Sequence, residues 1–435
     1  MDHIENSTPT LSRTEPPAVF RWTVLFFVSL AMFGNYYIYD SISPLADILK
    51  SQLGFADADI GLLNGIYSLP NIFMVLIGGI IIDRIGTRRS TLIFAVLCIV
   101  GAVITALDGT LWTMAAGRLI FGLGAESMIV AVTITLAKWF RGKELSFAFG
   151  LNLTIARLGS FAALNSPTWA RSFYADWQKP LWIAVIFGLT CLIGAGIYWM
   201  LENSAQRRYR LGKADEQEKV VFSDIFRFSL SFWLIVGLCA TFYSGIFPFQ
   251  TFAVKFFMEA HGTTRELGGF LSSMLTLFAM ICTPLFGILA DCIGKRSHLM
   301  IFGSVLIFPV YLMMAYTDTS LYLPMSMMGI AFSLIPAVMW PSVAYVVEES
   351  RLGTAYGLMT MIQNIGLTLF NFLIGWANDY AHAGTDNPGG YALGMWLFSS
   401  LGVIGLFFAI RLNRVEAGPQ SHGLDTIKAG YFRKS

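Results

Sequence analysis

The sequence carries little charge. Only 13% of its 435 residues are Asp, Glu, Lys or Arg, whereas soluble domains carry about a quarter. The 29 basic and 27 acidic residues nearly cancel and leave a net charge of +2. A chain with so small an excess has no electrostatic footprint for a nucleic acid, so no nucleic-acid partner is expected. The low charge also excludes an ordinary soluble domain.

Cysteine and histidine are equally scarce, with five of each. The cysteines form no CxxC pair and fall in or beside apolar stretches, which argues against a disulfide framework. The histidines fall in predicted loops and tails, so no buried histidine proton relay is expected. The sequence has no HExxH or GxSxG motif, and we expect no enzyme activity, metal or cofactor. The first 17 residues lack the basic and apolar regions of a cleavable signal.

Long apolar runs are what the chain has in abundance. Apolar residues make up 55% of it and form twelve runs of about 20 residues, the length that crosses a bilayer as a helix. None of the runs alternates as barrel strands do. We therefore predict an all-α membrane protein with twelve transmembrane helices. Of the 29 Lys and Arg residues, 22 fall on one side of this topology and five on the other. This bias predicts that both termini are cytoplasmic.

The longest polar interruption divides the chain into two sets of six helices. The predicted division is a cytoplasmic N-terminal tail (1–20), a first six-helix bundle (21–201), a cytoplasmic linker (202–230), a second six-helix bundle (231–413) and a cytoplasmic C-terminal tail (414–435).

The two halves repeat each other. The stretch GGIIIDRIGTRR (78–89) aligns with FGILADCIGKRS (286–297), and FAFGLNLTIARLG (147–159) aligns with TAYGLMTMIQNIG (354–366). Both alignments fall at equivalent helices of the two halves, which indicates a duplication. Parallel six-helix repeats with a binding site between them near the midplane are typical of a secondary transporter.

The loop after the second helix resembles the signature loop of the major facilitator superfamily, and GRLIFGLG (117–124) resembles its second motif. The resemblance covers about residues 20–413. It implies two pseudo-symmetric bundles that alternate in access to the site. In that superfamily the loop closes the inner side of the outward-open state against helix eleven. The resemblance therefore implies gating roles for Asp83, Arg84, Gly86 and Arg88, and for Asp291 and Arg296 in the weaker second copy.

A narrower resemblance links the chain to the lysosomal dipeptide transporters of animals within that superfamily. It rests on FGLGAES, WFRGKEL, FGLNLTIARLGS, FPF (247–249), WPSVAYVV (340–347) and LGTAYGLMTMIQNIGL (352–367). The N-terminal tail departs from those transporters because it lacks an acidic dileucine sorting signal. The membrane is thus the cytoplasmic membrane if the chain is bacterial and the lysosomal membrane if it is animal-like. We expect a monomer, and the need for an accessory subunit stays open.

Glu126 and Arg157 lie near the middle of consecutive apolar segments. A charge at this depth is costly unless it meets a partner or a wet cavity. One interpretation is that the two side chains pair only with each other. The other is that they face the cavity and bind the ammonium and carboxylate groups of a zwitterion, because Arg offers a fork suited to carboxylate and Glu accepts from ammonium. The matching residues of the dipeptide transporters are implicated in substrate binding.

Further candidates follow from the repeat and from helical spacing. Asn364 aligns with Arg157, and the amides of Asn364 and Gln363 suit peptide groups. Tyr36 and Tyr243 are equivalent in the two halves, and Phe247 and Trp340 are candidate aromatic walls. Any single aromatic residue in this chain could equally face lipid or fill a core.

Asp40 and Arg118 are a second pair of charges in apolar segments, predicted at similar depth on helices one and four. The sequence predicts a structural ion pair between them. Its alternative is that Asp40 titrates or contacts substrate in the cavity.

The sequence as a whole predicts a transporter of dipeptides that works by alternating access. The alternatives are a transporter of single amino acids, organic anions or drugs, or a non-transporting receptor on the same fold.

Overall fold

The computed structural model of the chain describes residues 16–140, 144–209, 228–348, 351–419 and 421–427. Most of the predicted linker and parts of both tails lie outside these ranges. Eleven helices within them are long and apolar enough to cross a membrane, and there are twelve when the segments Asp57–Met74 and Ile77–Ile85 are counted as one span. This confirms the predicted all-α membrane class.

The first six long helices are α1 (Ala18–Asp40), α2 (Asp57–Ile85), α3 (Thr87–Leu107), α4 (Leu111–Phe140), α5 (Leu145–Leu164) and α6 (Gln178–Arg208). The other six are α7 (Leu230–His261), α8 (Arg265–Ile293), α9 (Arg296–Tyr316, in two segments), α10 (Tyr322–Val346), α11 (Leu352–Tyr380) and α12 (Ala392–Glu416). Several extend beyond their apolar runs, because hydropathy detects only the lipid-spanning part of a helix. Capping groups mark some of the true ends, as where Thr264 accepts a hydrogen bond from the backbone N–H of Leu267 at the start of α8.

Helix α1 ends earlier than its apolar run. It stops at Asp40, and a 3₁₀ turn (Ser43–Leu45) and a short helix (Ala46–Leu53) follow. Pro44 lies at the start of that turn, where its missing backbone N–H costs least. The break leaves the last carbonyl groups of α1 without partners inside the helix, which matters for Arg118 below.

The two sets of helices meet closely where α2 begins and α11 ends. A Cβ on Gly61 would lie 2.2 Å from the carbonyl oxygen of Asn371, and one on Gly375 would lie 2.2 Å from that of Asp57. Only glycine permits so close an approach of the two backbones. Helices α5 and α8 also contact each other across the halves, at the same end. In the predicted topology this end is the outer one.

Candidate functional site

A cavity of about 240 Å³ lies between the two sets of helices. All eight side chains that the sequence predicted as substrate-binding line it: Tyr36, Glu126, Arg157, Tyr243, Phe247, Trp340, Gln363 and Asn364. The sequence did not single out Asn35, Tyr67, Ser160, Gln250, Thr276, Phe332 and Thr360, which also line it. Helices of both halves therefore contribute to one polar and aromatic chamber.

Glu126 and Arg157 face this chamber without pairing with each other. Glu126 accepts a hydrogen bond from the hydroxyl of Tyr67 at 3.1 Å. The Arg157 guanidinium carbon lies 5.4 Å from the ring centres of both Tyr36 and Phe332. Although both charges lie in the described ranges, no ion pair within 4.0 Å joins them. The interpretation that they exist only to neutralise each other is therefore wrong for this state.

The aromatic contacts of Arg157 orient it without occupying its hydrogen-bonding edge. A guanidinium that contacts ring faces gains cation–π stabilisation and keeps its N–H donors available. Tyr36 belongs to α1 and Phe332 to α10, so the two halves hold the same arginine. The cavity thus offers a fixed fork of donors for a planar anion such as a carboxylate.

The second half supplies a preorganised wall. The indole N–H of Trp340 donates to the hydroxyl of Tyr243 at 3.0 Å, and the rings of Tyr243 and Phe247 stack at 5.6 Å. The Asn364 side-chain amide donates to the carbonyl of Thr360 at 3.0 Å. The side-chain oxygen of Asn364 makes no hydrogen bond within the part of the chain that the structure describes, so it can accept one from a ligand.

Arg118 does not form the predicted ion pair with Asp40. Its guanidinium donates to the carbonyl oxygens of Ile38, Tyr39 and Leu63 at 3.3 Å each, and to the side chain of Asn64 at 3.1 Å. The break after Asp40 explains this, because a cation favours the unsatisfied carbonyls at a helix C-terminus. Asp40 instead lines the cavity and forms no ion pair with any described residue.

These two residues should therefore respond differently to substitution. We expect Arg118→Met to lower the free energy of unfolding by roughly 3 kcal/mol or more, because it strands several buried acceptors at about 1–3 kcal/mol each. Asp40→Asn should fold nearly as the wild type does. Thermal unfolding of the two purified variants in one detergent measures this, and equal destabilisation by both would contradict the assignment.

A buried network of charges closes the end where α2 begins. Lys255 on α7 contacts both carboxylate oxygens of Asp57 on α2, at 2.6 and 2.8 Å, and both side chains are 0% exposed. Asp379 on α11 accepts from the backbone N–H groups of Asp57 and Ala58 at 2.8 and 2.7 Å. Lys255 is one of the five Lys and Arg residues predicted on the outer side, and α7 continues for six residues beyond it. The network joins the two halves.

At the opposite end, the hydrogen bonds described for the first predicted gating loop go to its own half. Arg88 donates to two side-chain oxygens of α6 at 2.9 and 3.0 Å, and Gly86 makes the turn with φ 82°. Asp83 and Arg84 are exposed. No ion pair between Asp83 and α11 occurs in the described ranges.

The second copy of the loop also binds within its own half. Arg296 is 2% exposed and contacts Asp291 at 2.9 Å, the hydroxyl of Tyr345 at 3.1 Å and the carbonyl of Ile427 at 2.7 Å. The Asp57–Lys255 network thus joins the halves at the predicted outer end, whereas the hydrogen bonds and ion pairs described for these two loops stay within one half.

Comparison with known proteins agrees with this architecture. Residues 25–253 and 249–431 match the family model of the Major Facilitator Superfamily. The lysosomal dipeptide transporter MFSD1 of Bos taurus is 33% identical over 371 residues, which are 82% of this chain and 79% of that protein. MFSD1 of Homo sapiens gives the same figures. The probable sulfoacetate transporter SauU of Cupriavidus necator is 21% identical over 64% of this chain and 66% of that protein.

Among solved structures, a bacterial homolog of the human lysosomal transporter Spinster, in an inward-facing and unoccupied conformation, superposes with a TM-score of 0.71. It is 18% identical, and the match covers 92% of this chain and 98% of that one. The family match, the MFSD1 relatives and the shared fold lead to one conclusion. The chain is a multi-pass membrane transporter, not an enzyme, and belongs to the major facilitator superfamily.

Proposed function

We propose that the chain transports dipeptides by alternating access. The observation that carries this proposal is that Glu126 and Arg157 line one cavity without pairing. Two opposite charges held apart in a low-dielectric site leave both desolvated, which is costly unless a ligand with complementary charges completes the arrangement. A dipeptide has an ammonium and a carboxylate group separated by one peptide unit.

Each end of the substrate has a partner of fitting chemistry. The carboxylate binds the Arg157 fork, whose charge-assisted hydrogen bonds are among the strong ones in proteins. The ammonium binds Glu126, which Tyr67 holds in place. The amides of Gln363 and Asn364 serve the peptide group between the two ends. The MFSD1 relatives, named as dipeptide transporters, support the same substrate class.

Transport of an organic anion is the competing function, and the SauU relative favours it. An anion carrier needs Arg157 but gains nothing from Glu126 and Asp40 in the same cavity, because like charges repel the substrate. Glu126 and Asp40 therefore favour a substrate that also carries a positive charge.

A binding screen tests the substrate class. The purified protein should unfold at a higher temperature with dipeptides than with single amino acids, tripeptides, organic acids or no ligand. The reason is that a ligand that binds only the folded state stabilises it by mass action. At 100 times the dissociation constant the gain is about 2.7 kcal/mol. Stabilisation by organic acids alone would replace the dipeptide proposal with the anion carrier.

We also propose that the bundles 21–201 and 231–413 move as units, with both termini on the cytoplasmic side. In this orientation the Asp57–Lys255 network closes the outer side, and we infer an inward-open state. With Cys282 and Cys292 replaced by serine, a cysteine at exposed Asp386 should react with an impermeant maleimide added outside intact cells. A cysteine at exposed Ser421 should react only after lysis, and the reverse pattern would invert the orientation.

A further inference from the structure

A second cavity, of about 460 Å³, adjoins the first between α5, α8 and α10. Arg157, Tyr243, Phe332 and Trp340 line both cavities, so the two lie side by side at the arginine. No part of the site described above accounts for this second space.

The two cavities differ in chemistry. Among the described residues, Arg157 is the only charged one that lines the second cavity. The rest of the wall is mostly apolar, with Leu153, Met280, Pro336 and Ala337 among its members. The hydroxyl of Thr154 is already donated to the carbonyl of Gly150 at 3.0 Å. In contrast, Asn35, Asp40, Glu126 and Gln250 line only the first cavity.

We propose that the second cavity receives the side chain of the substrate's C-terminal residue and selects for large apolar groups there. This inference rests on the proposed function. In an amino acid the side chain and the carboxylate are attached to the same carbon. A carboxylate held at Arg157 therefore places the C-terminal side chain beside the residues that line both cavities.

The same geometry treats the two residues of a dipeptide differently. Glu126 keeps the ammonium end in the first cavity, so the N-terminal side chain meets a lining that mixes aromatic rings with carboxylate and amide groups. The C-terminal side chain leaves water for an apolar wall, which favours binding in proportion to the apolar area buried. Dipeptides such as Gly-Leu and Gly-Phe should therefore bind more tightly than Gly-Ala, whereas Leu-Gly and Phe-Gly should gain little.

A competition series measures this asymmetry in proteoliposomes that take up a labelled dipeptide. For the wild type, the inhibitory concentration should fall roughly 10-fold or more from Gly-Ala to Gly-Phe, in line with what a few methylene groups contribute in apolar pockets. The fall from Ala-Gly to Phe-Gly should be much smaller. Equal falls in the two series, or a larger fall in the second, would overturn the inference.

Substitutions that change the size of the second cavity localise the effect. Ala337→Phe fills it and should abolish the advantage of Gly-Phe while Gly-Ala still competes as in the wild type. Ala344→Phe is the matched control, because Ala344 lies exposed on the same helix outside both cavities. Met280→Ala enlarges the cavity and should increase the preference for Gly-Trp over Gly-Ala. This second variant still tests the inference if Ala337→Phe does not fold.

The outcomes separate this inference from the function it rests on. If Ala337→Phe weakens Gly-Ala and Gly-Phe equally, the second cavity is only a route to the inner side and the inference fails. If dipeptides are taken up with no preference for size, the inference fails and the proposed function stands. If no dipeptide is taken up, the proposed function itself fails.

Discussion

Arg157→Ala and Glu126→Ala are each expected to abolish dipeptide uptake while the protein still folds. Neither side chain is part of an ion pair in the described structure, so its removal strands no buried partner charge. Each variant loses a charge-assisted contact of about 2–4 kcal/mol, which corresponds to ~30-fold to ~800-fold in affinity. Uptake into proteoliposomes measures the loss, and the melting temperature without ligand is the control for folding.

Blocked peptides assign each residue to one end of the substrate. For the wild type, amidating the C-terminus or acetylating the N-terminus should weaken binding by a similar factor. Arg157→Ala should no longer distinguish amidated from free peptides, and Glu126→Ala should no longer distinguish acetylated from free ones. Arg157→Lys should restore only part of the affinity, because lysine lacks the bidentate fork. If the variant that combines Arg157→Ala and Glu126→Ala took up dipeptides as fast as the wild type, the dipeptide proposal would lose its chemical basis.

Lys255→Met is expected to open the outer side. In the present state its ammonium neutralises Asp57, and both are 0% exposed. Removing one partner of such a buried pair costs about 3–5 kcal/mol in soluble proteins. The cost applies only while the halves are joined, because the outward-open state returns Asp57 to water. A shift of 3 kcal/mol changes the ratio of the two states by roughly 150-fold.

A cysteine at Ser43 can report this shift. Its hydroxyl donates to the carbonyl of Gln250 in the other half at 3.0 Å, and the residue is 5% exposed. Maleimide labelling from outside should be slow in the Ser43→Cys protein and much faster when Lys255→Met is added. Lys50→Met is the matched control, because Lys50 contacts the same carboxylate at 3.4 Å but from the same half.

The double change Asp57→Leu and Lys255→Met should restore the closed state, since an apolar replacement of a buried ion pair is often neutral or stabilising. Labelling that stays slow in Lys255→Met, or that rises equally in Lys50→Met, would contradict a role for this pair in closing the outer side.

The residues that line the cavity were easier to predict from the sequence than the contacts that join the two halves. Glu126 and Arg157 could be found because a charge inside a long apolar run has few explanations, and the internal repeat added Asn364 and Tyr243. Tyr67 and Phe332 could not be found, because one aromatic residue in a chain with 14% aromatics carries no positional signal.

The errors have a common physical cause, which is that hydropathy does not mark where a helix ends. The break of α1 after Asp40 creates the carbonyl acceptors that bind Arg118, and no apolar count detects it. The extension of α7 to His261 turns Lys255 from a loop charge into a buried partner of Asp57. The close contact of α2 with α11 depends on glycines whose neighbours are known only from the fold.

Exchange across a membrane tests the central claim most directly. Proteoliposomes with this chain as their single protein would be loaded with one unlabelled compound and placed in a solution of labelled dipeptide. Internal dipeptide should accelerate entry of the label, because a loaded carrier returns faster than it would without substrate, and an internal single amino acid or organic acid should not. Dipeptide transport would be contradicted if the labelled dipeptide entered loaded vesicles no faster than vesicles without an internal substrate, while a labelled organic acid did exchange.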